Sequence, residues 1–110
     1  MGISNYPPDF IAIITHFTTE QGGRHTPAAS GYRPHVKFPF DKMSTTGQQH
    51  FIGKDMIYPG ETTDAEIRIL SVEYFKHKLE VGMSFEVREG LKITGTGIIK
   101  EIINAELKKQ

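Results

Sequence analysis

Short hydrophobic segments recur along the chain and are separated by turn residues. The first, residues 10–17, reads Phe-Ile-Ala-Ile-Ile-Thr-His-Phe and is rich in the β-branched and aromatic residues that favour strands. The segments of this kind are residues 10–17, 36–40, 49–54, 66–74, 83–89 and 91–103. Several short strands spaced about 8–12 residues apart, without helical crossovers, predict an all-β domain with an antiparallel sandwich or closed barrel of about six strands.

Prolines, glycines and changes of phase predict how individual strands end. Tyr58-Pro-Gly-Glu61 has proline and glycine where a type II turn needs them, so it separates two strands. Pro39 within 36–40 predicts an edge strand or a bulge, because proline cannot donate to a sheet ladder. In 66–74 the hydrophobic phase slips from Ile67 and Ile69 to Leu70, which predicts a β-bulge.

The last segment fits two structures. Its isoleucines and Leu107 match helical spacing and also the alternation of a strand. Glycines at 95 and 97 argue against a helix start, so a strand to about Ile103 is the favoured prediction and a short terminal helix is the alternative. The predicted organisation is an extended arm at 1–9 containing Pro7 and Pro8, a barrel at 10–103 and a polar tail at 104–110.

Length and composition narrow the class of protein. A chain of 110 residues has room for one domain with one core. Thirteen basic and thirteen acidic residues cancel, so no basic stripe indicates non-specific nucleic-acid or membrane binding. There are no cysteines, and the start has neither a signal-peptide core nor a membrane-spanning run. We therefore expect a single cytoplasmic module.

No motif assembles a catalytic or metal site. The five histidines lack the close paired spacing of a metal site and are interpreted as surface or strand-face residues. No phosphate-binding loop motif is present, and Gly95-Thr-Gly97 is typical of close packing or curvature in a barrel. We therefore expect a protein that binds rather than catalyses, with no metal and no cofactor.

The longest loop, Glu20 to Arg33, carries the candidate binding chemistry. Its paired glycines permit tight turns, and Arg24, His25 and Arg33 supply planar donors suited to phosphate or carboxylate. A purely structural role is the alternative, in which Arg33 pairs with an acidic neighbour and Tyr32 packs.

Ordered motifs along the chain resemble the third, C-terminal domain of bacterial translation elongation factor Tu. They are Glu20-Gln-Gly-Gly-Arg-His-Thr-Pro27, Gly31-Tyr-Arg-Pro34, Thr46-Gly47, Met56-Ile-Tyr-Pro-Gly-Glu61, Phe85-Glu-Val-Arg-Glu-Gly90 and Thr94-Gly-Thr-Gly-Ile98. The resemblance covers about residues 10–103 and implies a closed six-stranded antiparallel Greek-key barrel.

The resemblance also implies partners and contact residues. In the family this domain contacts the T-stem backbone of aminoacyl-tRNA and packs against the GTPase domain and a second barrel. Positions matching the tRNA contacts are Arg24, His25, Thr46, Arg88, Glu89 and Gly90. His35 and Glu89 match the GTPase-domain interface. The resemblance includes no GTPase domain, so no GTPase activity is expected of this chain.

Departures from the family pattern indicate where contacts differ. Leu91 replaces the second glycine of the family's R-E-G-G turn, His35 replaces a common glutamine, and two residues are inserted between Phe38 and Thr46. Ile11 and Ile13 stand at outward positions that are often acidic in the family. They predict an apolar dimer or partner surface, unless the arm at 1–9 covers them.

Two functional hypotheses follow. The first is a module that binds a translation component, either tRNA through Arg24, His25 and Arg88 or a partner protein of the elongation factor. The second is a protein-interaction or regulatory module without an RNA role that competes with or docks on elongation factor Tu, with a homodimer as one of its forms.

Overall fold

Eight strands form within residues 6–110, the part of the chain that the computed structural model describes. They are β1 (Phe10–His16), β2 (Ala28–Ala29), β3 (His35–Lys37), β4 (Thr45–Phe51), β5 (Met56–Ile57), β6 (Thr62–Ile69), β7 (Ser84–Glu89) and β8 (Lys92–Ile102). Six of them close into a barrel in the order β1-β6-β4-β3-β7-β8, and β2 pairs with β5 beside it. Every pairing is antiparallel. The predicted closed six-stranded antiparallel barrel is confirmed.

Alternation along the strands builds the core. On β1, Phe10, Ala12 and Ile14 are fully buried, while the residues between them face outward. The interior is tight enough to require glycine, since a Cβ on Gly97 would lie 2.2 Å from the Phe85 ring. The prediction that the glycines of β8 serve close packing therefore holds for Gly97.

Two predictions about strand ends need correction. Pro39 does not mark an edge strand, because β3 ends at Lys37 and pairs on both sides inside the closed barrel. The bulge predicted within 66–74 is wrong as well. β6 ends at Ile69, Ser71 adopts a left-handed φ of 57°, and Val72–Phe75 forms a 3₁₀ helix. The change of hydrophobic phase after Ile69 therefore marks the end of β6 and not a bulge within it.

Other boundaries agree with the sequence. Tyr58–Glu61 is a turn in which the Glu61 N–H donates to the Tyr58 carbonyl at 3.0 Å and Gly60 has a φ of 90°, as a type II turn needs. The C-terminal segment is a strand to Ile102, followed by a single 3₁₀ turn, Ala105–Leu107. Leu107 is fully buried, so the predicted polar tail is packed against the barrel.

The antiparallel order gives the barrel two ends. The upper end consists of the connections 17–34 and 52–61 and the Gly90-Leu91 turn. The lower end consists of residues 6–9, the connections 38–44 and 70–83, and residues 103–110. The first five residues of the predicted arm lie outside the described residues. Within residues 6–110 no helix has the length and apolar character needed to cross a membrane.

Candidate functional site

The Glu20–Arg33 loop leaves β1 through a tight turn that only glycines can make. Gly22 has a φ of 97°, and a Cβ on Gly23 would lie 2.1 Å from the Phe17 carbonyl oxygen. The Gly23 N–H donates to the Thr18 carbonyl at 2.8 Å, which closes the turn. This geometry places Arg24 directly beside the end of β7.

Glu89 at the end of β7 fastens the loop. Its Oε2 accepts hydrogen bonds from the Arg24 guanidinium and from the Tyr32 hydroxyl. Arg24 also donates to the Thr26 carbonyl at 3.3 Å and to the Thr26 hydroxyl at 3.2 Å, and its Cζ lies 4.9 Å from the Tyr32 ring centroid. Because Arg24 and Tyr32 come from opposite ends of the loop, this cluster holds both ends to one carboxylate.

The protonation states match this arrangement. Burial, together with the hydrogen bond that its hydroxyl donates to Glu89, raises the pKa of Tyr32 to about 12. Burial alone would raise the pKa of Glu89, but hydrogen bonds from Tyr32 and Arg24 outweigh it and lower that pKa. At neutral pH the cluster is therefore an ionised Glu89 held by a neutral phenol and a guanidinium.

A buried histidine supports the cluster from inside the barrel. The His16 ring packs edge-on against Tyr32 at a centroid distance of 5.7 Å, and its Nε2 lies 3.1 Å from Gln49 Oε1. Burial lowers the pKa of His16, and the nearby Arg24 charge lowers it further. The interpretation of the histidines as surface or strand-face residues includes His16, which lies on a strand face, but it did not indicate that this face is buried. His16 shares the inward phase of Phe10, Ala12 and Ile14, which was the available signal.

Three predicted contact residues lie side by side on the outer wall. His35 on β3 is paired with Thr46 on β4 and with Arg88 on β7. His35 and Arg88 face outward, because their neighbours Val36 and Val87 are buried in the core, and Thr46 lies on the same face because it is paired with His35. The His35 ring lies 3.3 Å from the Ser44 hydroxyl, and Arg88 donates from Nε to Glu86 at 2.9 Å. We call Thr46, His35 and Arg88 the wall row.

The β7–β8 hairpin brings Gly90 and Leu91 to the same region. Glu89 and Lys92 are paired, so Gly90 and Leu91 form a two-residue turn, with Gly90 at a φ of 64°. A positive φ at the first central position is what a type II′ turn requires. Leu91 is 93% exposed at the tip, and His25 is exposed on the neighbouring loop.

Charge on this surface differs from that of the neutral chain. The wall row and the Glu89 cluster are surrounded by more cationic than acidic side chains. The cationic residues are Arg24, Arg33, Lys37, Arg88 and Lys92, and the acidic residues are Glu20, Glu86 and Glu89. The surface is therefore suited to an anionic partner. Within residues 6–110 no group of three His, Asp or Glu side chains is placed to hold a metal ion.

Ile11 and Ile13 do not belong to this surface. They lie on β1, three strands away from β3 around the barrel in either direction. Both face outward but are half-buried rather than exposed. Lys100 on β8 reaches across β1 to Asp64 on β6 with an Nζ–Oδ2 distance of 2.7 Å, so an ion pair crosses the strand beside them. The described arm residues instead follow β6, where the Tyr6 carbonyl accepts from Arg68 at 2.6 Å.

Comparison with known protein families gives a match over almost the whole domain. The family model of the elongation factor Tu C-terminal domain matches residues 6–103, a range that contains the loop, the wall row and the hairpin. The match agrees with the closed six-stranded barrel. The chain belongs to the elongation factor Tu C-terminal domain family.

Proposed function

We propose that this protein is a non-catalytic binding module for a component of the translation machinery, and that it holds the phosphate backbone of tRNA. The observation that carries the proposal is that residues from separate parts of the sequence meet on one surface. Three segments far apart in sequence contribute Arg24 and His25, Thr46, and Arg88 and Gly90 to one surface with an excess of cations. A cytoplasmic location is part of the proposal.

The residues on this surface have different roles. The Nε, Nη1 and Nη2 of Arg24 donate hydrogen bonds to Thr26 and Glu89, so Arg24 mainly fixes the loop and thereby the exposed His25. The wall row offers a hydroxyl, an imidazole and a guanidinium in a line across three strands. Contacts of this kind position a nucleic acid by its backbone and shape without reading bases.

Absence of GTPase activity is also part of the proposal. Its support is that the sequence contains no phosphate-binding loop motif and that the family match is to a barrel domain. GTP hydrolysis by the purified protein would contradict it.

A tRNA titration at two salt concentrations tests the proposal. Binding to fluorescently labelled tRNA should be strong at about 50 mM salt and weaken severely by about 200 mM, since phosphate contacts release counterions. Arg88→Ala should lower affinity and reduce the salt slope by about one unit. Lys109→Ala is the matched control, because Lys109 is an exposed cation at the lower end. No binding at low salt, or equal effects of the two variants, would remove the RNA function.

One observation favours a second candidate, a module that docks on elongation factor Tu or a protein partner of it. Leu91, 93% exposed, projects from the hairpin beside arginines whose charges Glu86 and Glu89 already partly balance. An exposed aliphatic tip among partly balanced charges suits a protein surface better than phosphates. Calorimetry with purified elongation factor Tu should then show binding that Leu91→Ser weakens. Val81→Ser, at the exposed Val81 of the lower end, should leave the affinity unchanged.

A further inference from the structure

The lower end of the barrel contains a pocket that the proposed function does not use. It has a volume of about 460 Å³ and lies between the 38–44 connection and the 3₁₀ helix Val72–Phe75. Met43 and Tyr74 form its walls, and Phe75 and Lys78 also line it. The connection on one side is the segment that carries the two extra residues relative to the family pattern.

Aromatic rings of the core pack beneath the floor of the pocket and hold it in place. Phe38 is buried in the core, with its ring 5.4 Å from that of Phe75, and it stacks on Phe40 at 5.7 Å with an interplanar angle of 3°. Each wall is also held by hydrogen bonds. The Met43 N–H donates to Asp41 at 3.0 Å, and the Tyr74 N–H donates to the Ser71 carbonyl at 3.0 Å. The pocket is therefore pre-formed rather than assembled on binding.

The walls expose apolar atoms that a small domain ordinarily buries. Met43 is 73% exposed and Tyr74 is 67% exposed, and Phe40 and Leu70 beside them are exposed as well. Methionine and aromatic residues are enriched in protein–protein interfaces, where a flexible thioether adapts to the partner's shape. A concave site with such walls suits an apolar side chain of a partner.

The charges around the pocket indicate the charge of the partner segment whose apolar side chain enters it. Lys78 and Asp41 line the pocket, and the exposed Lys42, Lys76 and Glu73 are next to lining residues in the sequence. Asp41 already accepts the Met43 N–H, which reduces its availability. The rim is therefore net cationic and complementary to acidic residues.

We propose that this pocket binds an acidic segment of a partner protein by receiving one of its large apolar side chains. Phe40 already stacks on Phe38 and has the Lys78 ammonium 5.7 Å from its ring centroid. That leaves Tyr74 as the ring best placed to stack a base. Stacking of successive bases needs several free rings, so the geometry favours a protein segment over a nucleic acid.

The pocket lies at the end of the barrel opposite to the Glu89 cluster. Occupation of one surface leaves the other accessible, so the protein can hold two partners at once. The proposal does not depend on which ligand the upper end binds.

Fluorescence polarisation with a labelled synthetic peptide tests this proposal. The peptide carries one phenylalanine between glutamate and aspartate residues, and its controls replace the phenylalanine by alanine or the acids by lysine. The acidic peptide should bind, and both controls should lose at least about tenfold in affinity. Met43→Ala and Tyr74→Ala should each weaken binding about tenfold. Met56→Ala and Tyr58→Ala, which truncate exposed residues of the upper end, should have no effect.

Each alternative predicts a different result for the same variants. Equal binding of the lysine peptide, or no effect of Met43→Ala and Tyr74→Ala, overturns the proposal. Loss of tRNA affinity in Tyr74→Ala would show that the pocket serves a nucleic acid instead. Self-association in sedimentation that Met43→Ala abolishes would show that a second copy covers it. Arg88→Ala should leave peptide binding unchanged, so failure of the tRNA function is distinguishable from failure of this one.

Discussion

The two ends of the barrel are built by different physical means. At the upper end one carboxylate, Glu89, organises a loop through hydrogen bonds from Arg24 and Tyr32. At the lower end the rings of Phe38, Phe75 and Phe85 pack edge to face, and the buried Asp9 carboxylate accepts hydrogen bonds from the Ile69 N–H at 2.8 Å and the Asn104 side chain at 3.2 Å. The binding surface of the upper end therefore depends on charge and protonation, whereas the lower end combines buried apolar area with a buried carboxylate.

This difference predicts that the two ends contribute unequally to the free energy of unfolding and to its dependence on pH. Hydrogen bonds at a half-exposed cluster contribute modest net free energy because water competes for the same groups. Buried aromatic rings contribute several times more, and no change of pH alters them. We expect the lower end to supply most of the free energy of unfolding and the upper end to supply the response to solution conditions.

Phe38→Ala should have the largest effect. Phe38 contacts Phe10, Phe40, Phe75 and Phe85, so its removal opens a cavity at the centre of the lower end. The free energy of unfolding should fall by about 3–5 kcal/mol. Urea unfolding followed by circular dichroism measures it. A cost below that of the upper-end variants would invalidate the contrast between the ends.

Glu89→Gln should cost less, about 1–2 kcal/mol, because the amide keeps one acceptor but loses the charge that Arg24 and Tyr32 share. The pKa of Tyr32 should fall below about 12, although burial continues to hold it above the ordinary value. An absorbance titration of the phenolate reports this change. Glu86→Gln is the control, since Glu86 has the same 38% side-chain exposure and pairs with Arg88. Equal losses in stability would show that Glu89 is an ordinary surface carboxylate.

The contrast between the ends also explains what the sequence could predict. Alternation defined the core face of β1 and β7, because burial in a barrel imposes a period of two. The resemblance to the family indicated Arg24 and Glu89 as contact residues, but their bond to each other joins positions 65 residues apart and no local pattern encodes it. The lower pocket was also missed, since 66–74 was interpreted as a bulged strand and the 3₁₀ helix that forms one wall was not foreseen.

Acidification should weaken the upper end through His16. Since burial lowers its pKa in the folded state, the neutral ring is the favoured form there and the unfolded chain binds the proton more readily. The stabilisation is complete above the unfolded value of 6.5 and is lost as pH falls from that value through the lower folded pKa. Burial is the largest influence; the hydrogen bond with Gln49 and the charge of Glu89 favour protonation, and the charge of Arg24 opposes it.

Urea unfolding at pH 7 and at about pH 5 measures this loss, whose slope should not exceed about 1.4 kcal/mol per pH unit for one proton. His16→Gln should remove this part of the pH dependence. His25→Gln, at an exposed position on the loop, should retain it. The same slope in the two variants would assign the acid sensitivity to other groups.

Leu91→Ser should have the smallest effect on stability. Leu91 is 93% exposed, and a Gly-Ser pair fits the same two-residue hairpin, so the free energy of unfolding should change by less than about 0.5 kcal/mol. Binding should respond instead. If the upper end holds tRNA, loss of an apolar tip beside the wall row should leave the affinity for tRNA unchanged or raise it. If the upper end docks on a protein, the affinity for that protein should fall about tenfold while tRNA is unaffected. Because the fold is untouched in either case, the direction of these two affinities decides which kind of partner the cationic surface at Glu89 and Arg88 receives.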